Sequence, residues 1–184
     1  MKSALDVHGE LLARAVPHEM VRLPQVIGRA ADLPRVLGIE PARCVAVRCF
    51  APEAPSEHAL VAVLVRVCDD IDPEALAAAV PSAAPLRPAT AAQTSAATDY
   101  PATLVSPVGL PRRVLLLADA RVSSNEVLYC ATGEGGVALG MRTRDLLVAS
   151  GASVTALAGW RTALARPPAG ALPEPRRGRA LATG

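Results

Sequence analysis

Two apolar runs, Cys44–Phe50 and Ala59–Val67, constrain this chain more than any other feature. Both are valine-bearing and of strand length, and the polar, Pro-rich loop APEAPSEH separates them, so they predict two strands. Around them, helices and strands follow in no regular order. Ser3 followed by Asp6 is a capping-box-like start for a helix whose stripe is Leu5, Leu11, Leu12 and Ala15, ending before Pro17. A short strand over His18–Leu23 comes next. A helix then has Asp32 as N-cap, Pro34 in its first turn and Gly38 as its stop. Asp72-Pro73-Glu74 opens a third helix, EALAAAV, which Pro81 ends. Pro81–Ala97 is an Ala/Pro/Thr-rich connector with a short helix at Ala89–Ala97. Further strands are predicted at Ala102–Val105, Val114–Ala118, Val127–Ala131, Val137–Met141 and Val154–Ala158, with Thr143 capping the helix RDLLVAS that Gly151 closes. Without a βαβ repeat, this order predicts an α+β fold. The expectation is a single compact domain over residues 1–160, with a mixed, largely antiparallel central sheet and flanking helices. Arg161–Gly184 is Pro/Gly/Arg-rich and aperiodic, which predicts a disordered tail.

Composition narrows the function classes. The apolar fraction is 51%, yet Phe50, Trp160, Tyr100 and Tyr129 are all the aromatic residues there are. Single-strand nucleic-acid binding by base stacking needs aromatic platforms, so that mode is not expected. Lys2 is the sole lysine. The net charge is +2, and the tail holds five arginines against Glu174, or +4, which leaves the body near −2. A body of that sign is not a DNA-binding surface by charge. Asp6 and Glu10 interrupt the first residues where a signal peptide needs a clean apolar stretch, and no apolar run reaches the ~18 residues of a membrane span. A cytoplasmic protein without membrane or DNA partners is expected. Cys44, Cys49, Cys68 and Cys130 form no C-x-x-C pair, and His8, His18 and His58 are scattered. No zinc cage or disulfide framework is written there, and cysteines in apolar runs read as small core hydrophobes.

Other constellations read as ordinary structure. TGEGG at 132–136 lacks the Lys-Ser/Thr ending of a phosphate loop, leaving a glycine turn, either between strands or lining a pocket. Asp69, Asp70 and Asp72 offer three carboxylates, but Asp72 suits a helix cap and the other two a solvated loop. Arg112-Arg113 reads as solubilising surface. The segment LVSPVGLPRR, 104–113, packs a serine, a glycine and two prolines into one connection, more than a hairpin turn needs.

Three motifs in order resemble the YbaK/ProX-type trans-editing aminoacyl-tRNA deacylases, whose fold also occurs as the editing insertion of bacterial prolyl-tRNA synthetases. They are LGIEPARCVAV, DYPATLVSPVG with the following VLLLADARV, and LYCATGEGGVALGMRTRDLLVASGASVTALA. The resemblance spans about residues 1–160. It implies a domain that binds the 3′-end of an aminoacyl-tRNA, possible contact with an aminoacyl-tRNA synthetase, and ester hydrolysis with no metal or cofactor. The ester is already activated, so the protein has to orient it, stabilise the oxyanion and select the side chain, tasks that backbone N–H groups of a Pro/Gly loop can share. Ser106, Pro107 and Gly109 fall on the family's Ser-Pro-x-Gly segment, Asp119 on its strand-ending aspartate, and Thr132-Gly133 on its glycine turn. Three positions depart: the strand lysine falls on Ala46, a motif glycine on Thr103, and an aspartate on Ala138. Arg48 shares a strand face with Ala46. It is a candidate cation for the substrate end, or else an ion-paired surface residue. The candidate substrate-binding set is therefore Arg48, Thr103, Ser106, Pro107, Gly109, Thr132 and Gly133. No residue is assigned as the catalytic group beyond Arg48 as a candidate. The same departures favour an alternative, a relative that binds aminoacyl-tRNA or a synthetase without hydrolysis.

Overall fold

The computed structural model describes residues 1–80 and 85–157. The predicted disordered tail at 161–184 lies outside the described residues. The α+β expectation holds: among the described residues, five α-helices flank eight strands arranged in two sheets. One sheet has the order β1-β7-β6, built from β1 (Glu19–Arg22), β6 (Val127–Ala131) and β7 (Val137–Arg142), all antiparallel. The other has the order β4-β2-β3-β5-β8, from β2 (Val45–Pro52), β3 (Leu60–Arg66), β4 (Leu86–Pro88), β5 (Val114–Asp119) and β8 (Ser153–Thr155). There β2 pairs antiparallel with β3 and β4, whereas β3–β5 and β5–β8 are parallel. A bridge between Cys44 and Tyr129 joins the two sheets.

The central strands explain why their sequences lack polar/apolar alternation. Leu60, Ala62 and Leu64 of β3 and Val114, Leu116 and Ala118 of β5 enter one core, with Val7 and Leu11 of α1 (Ala4–Ala13) and Leu146 and Ala149 of α5 (Thr143–Ser150). The intervening Val61, Val63, Val65 and Leu117 enter another, with Leu76 of α3 (Pro73–Ala79) and Val80. Strands buried on both faces read as unbroken apolar runs. A third buried cluster lies near the β6–β7 turn. It holds Leu23, Ile27, Ala30, Cys44, Leu104, Ala131 and Ala138, with Leu33 and Val36 of α2 (Leu33–Leu37) packed on it.

Several local expectations need correction. No strand forms at Ala102–Val105. Leu104 and Val105 point into different clusters, and the carbonyls of Thr103 and Leu104 accept from Ala30 (3.0 Å) and Gly133 (3.0 Å). With those groups engaged by two other loops, no ladder can form. The connector carries an unexpected strand, β4, on the edge of β2, where Pro88 is tolerated. The helix after it, α4 (Ala91–Thr98), starts two residues later than predicted because Thr90 and Gln93 form a reciprocal capping box. Arg142, not Thr143, is the N-cap of α5; the Thr143 hydroxyl donates instead to the Asn125 carbonyl. Asp32 does precede α2, but its carboxylate accepts from Arg29 (3.2 Å) and caps nothing. Asp72 performs as expected, accepting from the Glu74 N–H at 2.9 Å.

Candidate functional site

The loop from Tyr100 to Leu110 links α4 to β5 and forms a wall rather than a simple connection. Leu104, Val105, Ser106, Pro107 and Val108 are all buried, although the segment has no regular structure. Its backbone is held locally: the Ser106 hydroxyl accepts from the Val108 N–H at 3.3 Å. The Tyr100 hydroxyl donates to the Val108 carbonyl at 2.8 Å. Burial pushes the Tyr100 hydroxyl pKa up, with the Ser106 hydroxyl pulling the other way, so Tyr100 stays a donor at neutral pH.

The glycine turn braces this wall. The Gly133 N–H donates to the Leu104 carbonyl at 3.0 Å, and the buried Thr132 closes its own turn by donating to the Val137 carbonyl at 2.8 Å. Gly109 and Gly133 have positive φ values of 71° and 92°. Both are also crowded by the chain's first residues. A Cβ on Gly133 would lie 2.5 Å from the Lys2 carbonyl oxygen and 2.9 Å from Tyr100 Cδ1. A Cβ on Gly109 would lie 2.5 Å from Glu10 Oε2 and 3.0 Å from Lys2 Nζ. The Lys2 ammonium donates to the Gly109 carbonyl and sits 5.8 Å from the Tyr100 ring centroid. The Lys2 N–H donates to the Asp99 carbonyl at 2.6 Å, and the Ala4 N–H to Glu134 Oε1 at 3.2 Å.

Beyond the wall lies a buried apolar cluster. Ala46 and Ala138, two of the three departures, belong to the same cluster as Leu104. The polar pair expected from the resemblance is thus replaced jointly by methyl groups in one apolar patch. Alongside, a cleft of about 520 Å³ opens between Ala31, Pro34, Ile39, Val67 and Cys68, with Arg35 on its rim. Thr103, the third departure, is exposed, and its carbonyl accepts from Ala30. A second cleft of about 420 Å³, among Asn125, Arg142 and Leu147, lies at the far end of the β6–β7 hairpin from the glycine turn.

Arg48 sits on the outer face of β2 between Ala46 and Phe50. Its guanidinium donates to the Asp69 carbonyl at 2.9 Å and Asp70 Oδ1 at 3.3 Å. The structure therefore places it in an ion-paired loop contact and does not join it to the Ser106–Gly109 wall. The neighbouring carboxylates are engaged by arginines. The Arg66 Nε–H donates to Asp69 Oδ2 at 2.6 Å, and Arg121 approaches Asp69 Oδ1 at 3.5 Å. Asp119 is a structural node, accepting the N–H groups of Arg121 (2.9 Å) and Leu157 (2.7 Å). Burial pushes the Cys44 thiol up to about 12 and Cys49 to about 11, and raises Cys130 as well, so these thiols stay protonated core groups.

Of the residues picked out by sequence, Ser106, Pro107, Gly109, Thr132 and Gly133 come together, while Arg48 stands apart. Lys2 and Tyr100 were missed. Their only signals were that one is the sole lysine and the other one of two tyrosines.

Solved structures share this fold. One, of hypothetical protein APE2540, superposes with a TM-score of 0.74 at 22% identity, covering 83% of this chain and 99% of that one. Another, of a "putative trans-editing enzyme for prolyl tRNA synthetase", has a TM-score of 0.73 at 23% identity, covering 85% and 97% respectively. No curated protein matches the chain. The model of the aminoacyl-tRNA editing domain matches residues 26–148, the span that holds the wall and the glycine turn. By that match, this chain belongs to the aminoacyl-tRNA editing domain family.

Proposed function

We propose that this protein is a trans-editing hydrolase that removes the amino acid from mischarged aminoacyl-tRNA by metal-independent ester hydrolysis. The observation that supports it most is the buried Ser106–Val108 wall, continued by Gly109 and braced by the Gly133 turn. A rigid loop wall that presents its backbone suits orientation of an activated ester and stabilisation of its oxyanion, without a protein nucleophile. Ser106, Pro107, Gly109, Thr132 and Gly133 form the contact wall, and Thr103 edges it. Arg48, on β2 and paired with the Asp69–Asp70 loop, stands apart from this wall and is carried as a candidate cation for the substrate end. The protein works in the cytoplasm on the tRNA 3′-end. No helix among the described residues is long and apolar enough to cross a membrane, which accords with that location.

A second reading has its own support. Ala46 and Ala138 remove two charged groups from one patch, which suits a relative that binds aminoacyl-tRNA or a synthetase without hydrolysis. A deacylation panel separates the two. It should include alanine and cysteine on proline tRNA, since a structural neighbour is described as acting with prolyl tRNA synthetase. Hydrolysis of at least one ester at micromolar protein is expected; a rate lowered at least tenfold in Arg48→Ala keeps that side chain in the site, and an intact rate removes it. No turnover of any ester, together with measurable tRNA binding, would leave the second reading standing alone.

A further inference from the structure

Two histidines close the corner between α1 and β1. His8 Nδ1 lies 2.8 Å from His18 Nε2, and His18 Nδ1 lies 2.8 Å from the Val16 carbonyl oxygen, with both residues half-buried. The carbonyl can only accept, so His18 Nδ1 carries a proton and His18 Nε2 is left to accept from His8 Nδ1. The pair can take up one further proton and keep this contact, since one ring still offers a lone pair to the other. A second proton sets two N–H donors of two cations against each other, and the contact is lost. The corner it closes is strained: Ala15 has a φ of 52°, in the left-handed region that disfavours a side chain. Charged groups on the surrounding elements are engaged elsewhere. On α1, Asp6 accepts from the Ser3 N–H, and Glu10 pairs with Arg14, which also donates to the Ala149 carbonyl of α5. On β1, Glu19 lies on the opposite face, its carboxylate against Gly140 of β7, and Arg142 alternates onto that same face. Arg22 shares the face of His18 but stands four residues along the strand, about 13 Å away. On α5, Arg144 pairs with Asp145.

We propose that the His8–His18 contact is a proton-operated latch that holds α1 in place and, through the N-terminal segment, steadies the glycine turn behind the wall. The latch stands on the histidine geometry alone; only its consequence for catalysis rests on the deacylase reading above. Lys2 and Glu10 flank His8 in the same segment. The Lys2 ammonium donates to the Gly109 carbonyl, Glu10 Oε2 crowds Gly109, and the Lys2 carbonyl packs on Gly133. Opening the latch lets the corner relax at Ala15 and loosens these contacts together. The direction follows from the proton count. The open state can bind one proton more than the latched state, so acid favours opening and the latch is fully held above the histidine range. An ordinary histidine titrates at about pH 6.5, so one extra proton raises the opening equilibrium about tenfold between pH 7.5 and pH 5.5.

The test follows amide protection factors of the full chain at pH 7.5 and pH 5.5, each corrected for intrinsic exchange. In the parent, protection of the α1 amides and of the Gly133 amide should fall at least fivefold in acid, with β3 unchanged. His8→Asn keeps a donor near the Nδ1 position, does not titrate, and can turn its carbonyl to accept from a protonated His18. Its protection should fall less than twofold. His8→Ala lacks the contact at either pH, so its α1 protection should be at least fivefold below the parent's at pH 7.5 and change less than twofold in acid. Equal parent protection at the two pH values would overturn the latch, as would a His8→Asn variant that loses protection as the parent does. A fall in β3 as large as that in α1 would overturn it too, since the whole fold would then be softening. A Gly133 amide that stays protected while α1 opens would overturn the link to the wall. None of these readings needs turnover, so a parent inactive on every ester would remove the deacylase reading and leave the latch to be decided by exchange.

Discussion

Replacing Tyr100 with phenylalanine isolates the other pin of the wall. Tyr100 is fully buried at 0% exposure, and its hydroxyl donates to the Val108 carbonyl at 2.8 Å. Phenylalanine fills the same ring volume, so the packing against Gly133 survives and the change is confined to one hydroxyl. What is left is a buried carbonyl without this donor, which costs about 1–3 kcal/mol. With a urea m-value of about 2 kcal/mol/M, that lowers the unfolding midpoint by about 0.5–1.5 M at constant m. Tyr129→Phe is the matched control. The Tyr129 ring lies under Arg43 at 5.8 Å and is only half-buried, so its loss should stay within about 0.5 kcal/mol. Urea titration followed by far-UV circular dichroism reads both variants. Equal midpoints for Tyr100→Phe and Tyr129→Phe would refute the idea that the hydroxyl pins the wall. If the wall orients the ester as well as bearing load, Tyr100→Phe should also reduce deacylation more than Tyr129→Phe does.

Other perturbations test neighbouring parts. Gly133→Ala puts a Cβ 2.5 Å from the Lys2 carbonyl oxygen at a φ of 92°, and should cost about 2–4 kcal/mol in urea unfolding. Ala138→Asp places a carboxyl at a site with 0% exposure in the third apolar cluster; it should destabilise by about 3 kcal/mol or more at neutral pH, and by less in acid where the group is neutral. Stability should also fall in alkali. Cys44 and Cys49 are raised from 9.0 to about 12 and about 11, so above pH 9 the unfolded chain loses protons that the folded one keeps. Their contribution is complete below pH 9 and is lost as pH rises towards 12, and Cys44→Ala should flatten that slope in urea melts. Asp119→Ala leaves the Arg121 and Leu157 N–H groups without their acceptor and should lower the thermal midpoint by several degrees, about 2 kcal/mol.

The strands were legible where burial on both faces left no polar residue to interrupt them, as in Leu60–Arg66 and Val114–Asp119. They were misjudged where tertiary partners outvoted local pattern. Ala102–Val105 reads as a strand in isolation, yet Ala30 and Gly133 take the carbonyls a ladder would need. Leu86-Arg87-Pro88 reads as connector, yet an open edge of β2 recruits it. At the site, Ser106, Gly109 and Gly133 were legible through the family's Ser-Pro-x-Gly and glycine-turn motifs, and the positive φ of the two glycines is the physical reason for glycine there. Arg48 was placed on the right face by alternation, but its carboxylate partners come from a loop beyond β3 that spacing along β2 does not show. Lys2 was illegible, because the carbonyl it binds belongs to a loop near the middle of the chain and no local rule connects them.

Lys2, Gly109 and Gly133 form one contact unit spread over three distant stretches. A larger residue at either glycine meets the same N-terminal segment, at 133 through the Lys2 carbonyl oxygen and at 109 through the Glu10 and Lys2 side chains, so tolerance at both depends on the path of that segment. In relatives whose first residues take another course, both glycines lose the crowding that Lys2 imposes, although their positive φ still favours glycine. Variation at the two loop positions should therefore follow the path of the N-terminus more closely than it follows the chemistry of the substrate.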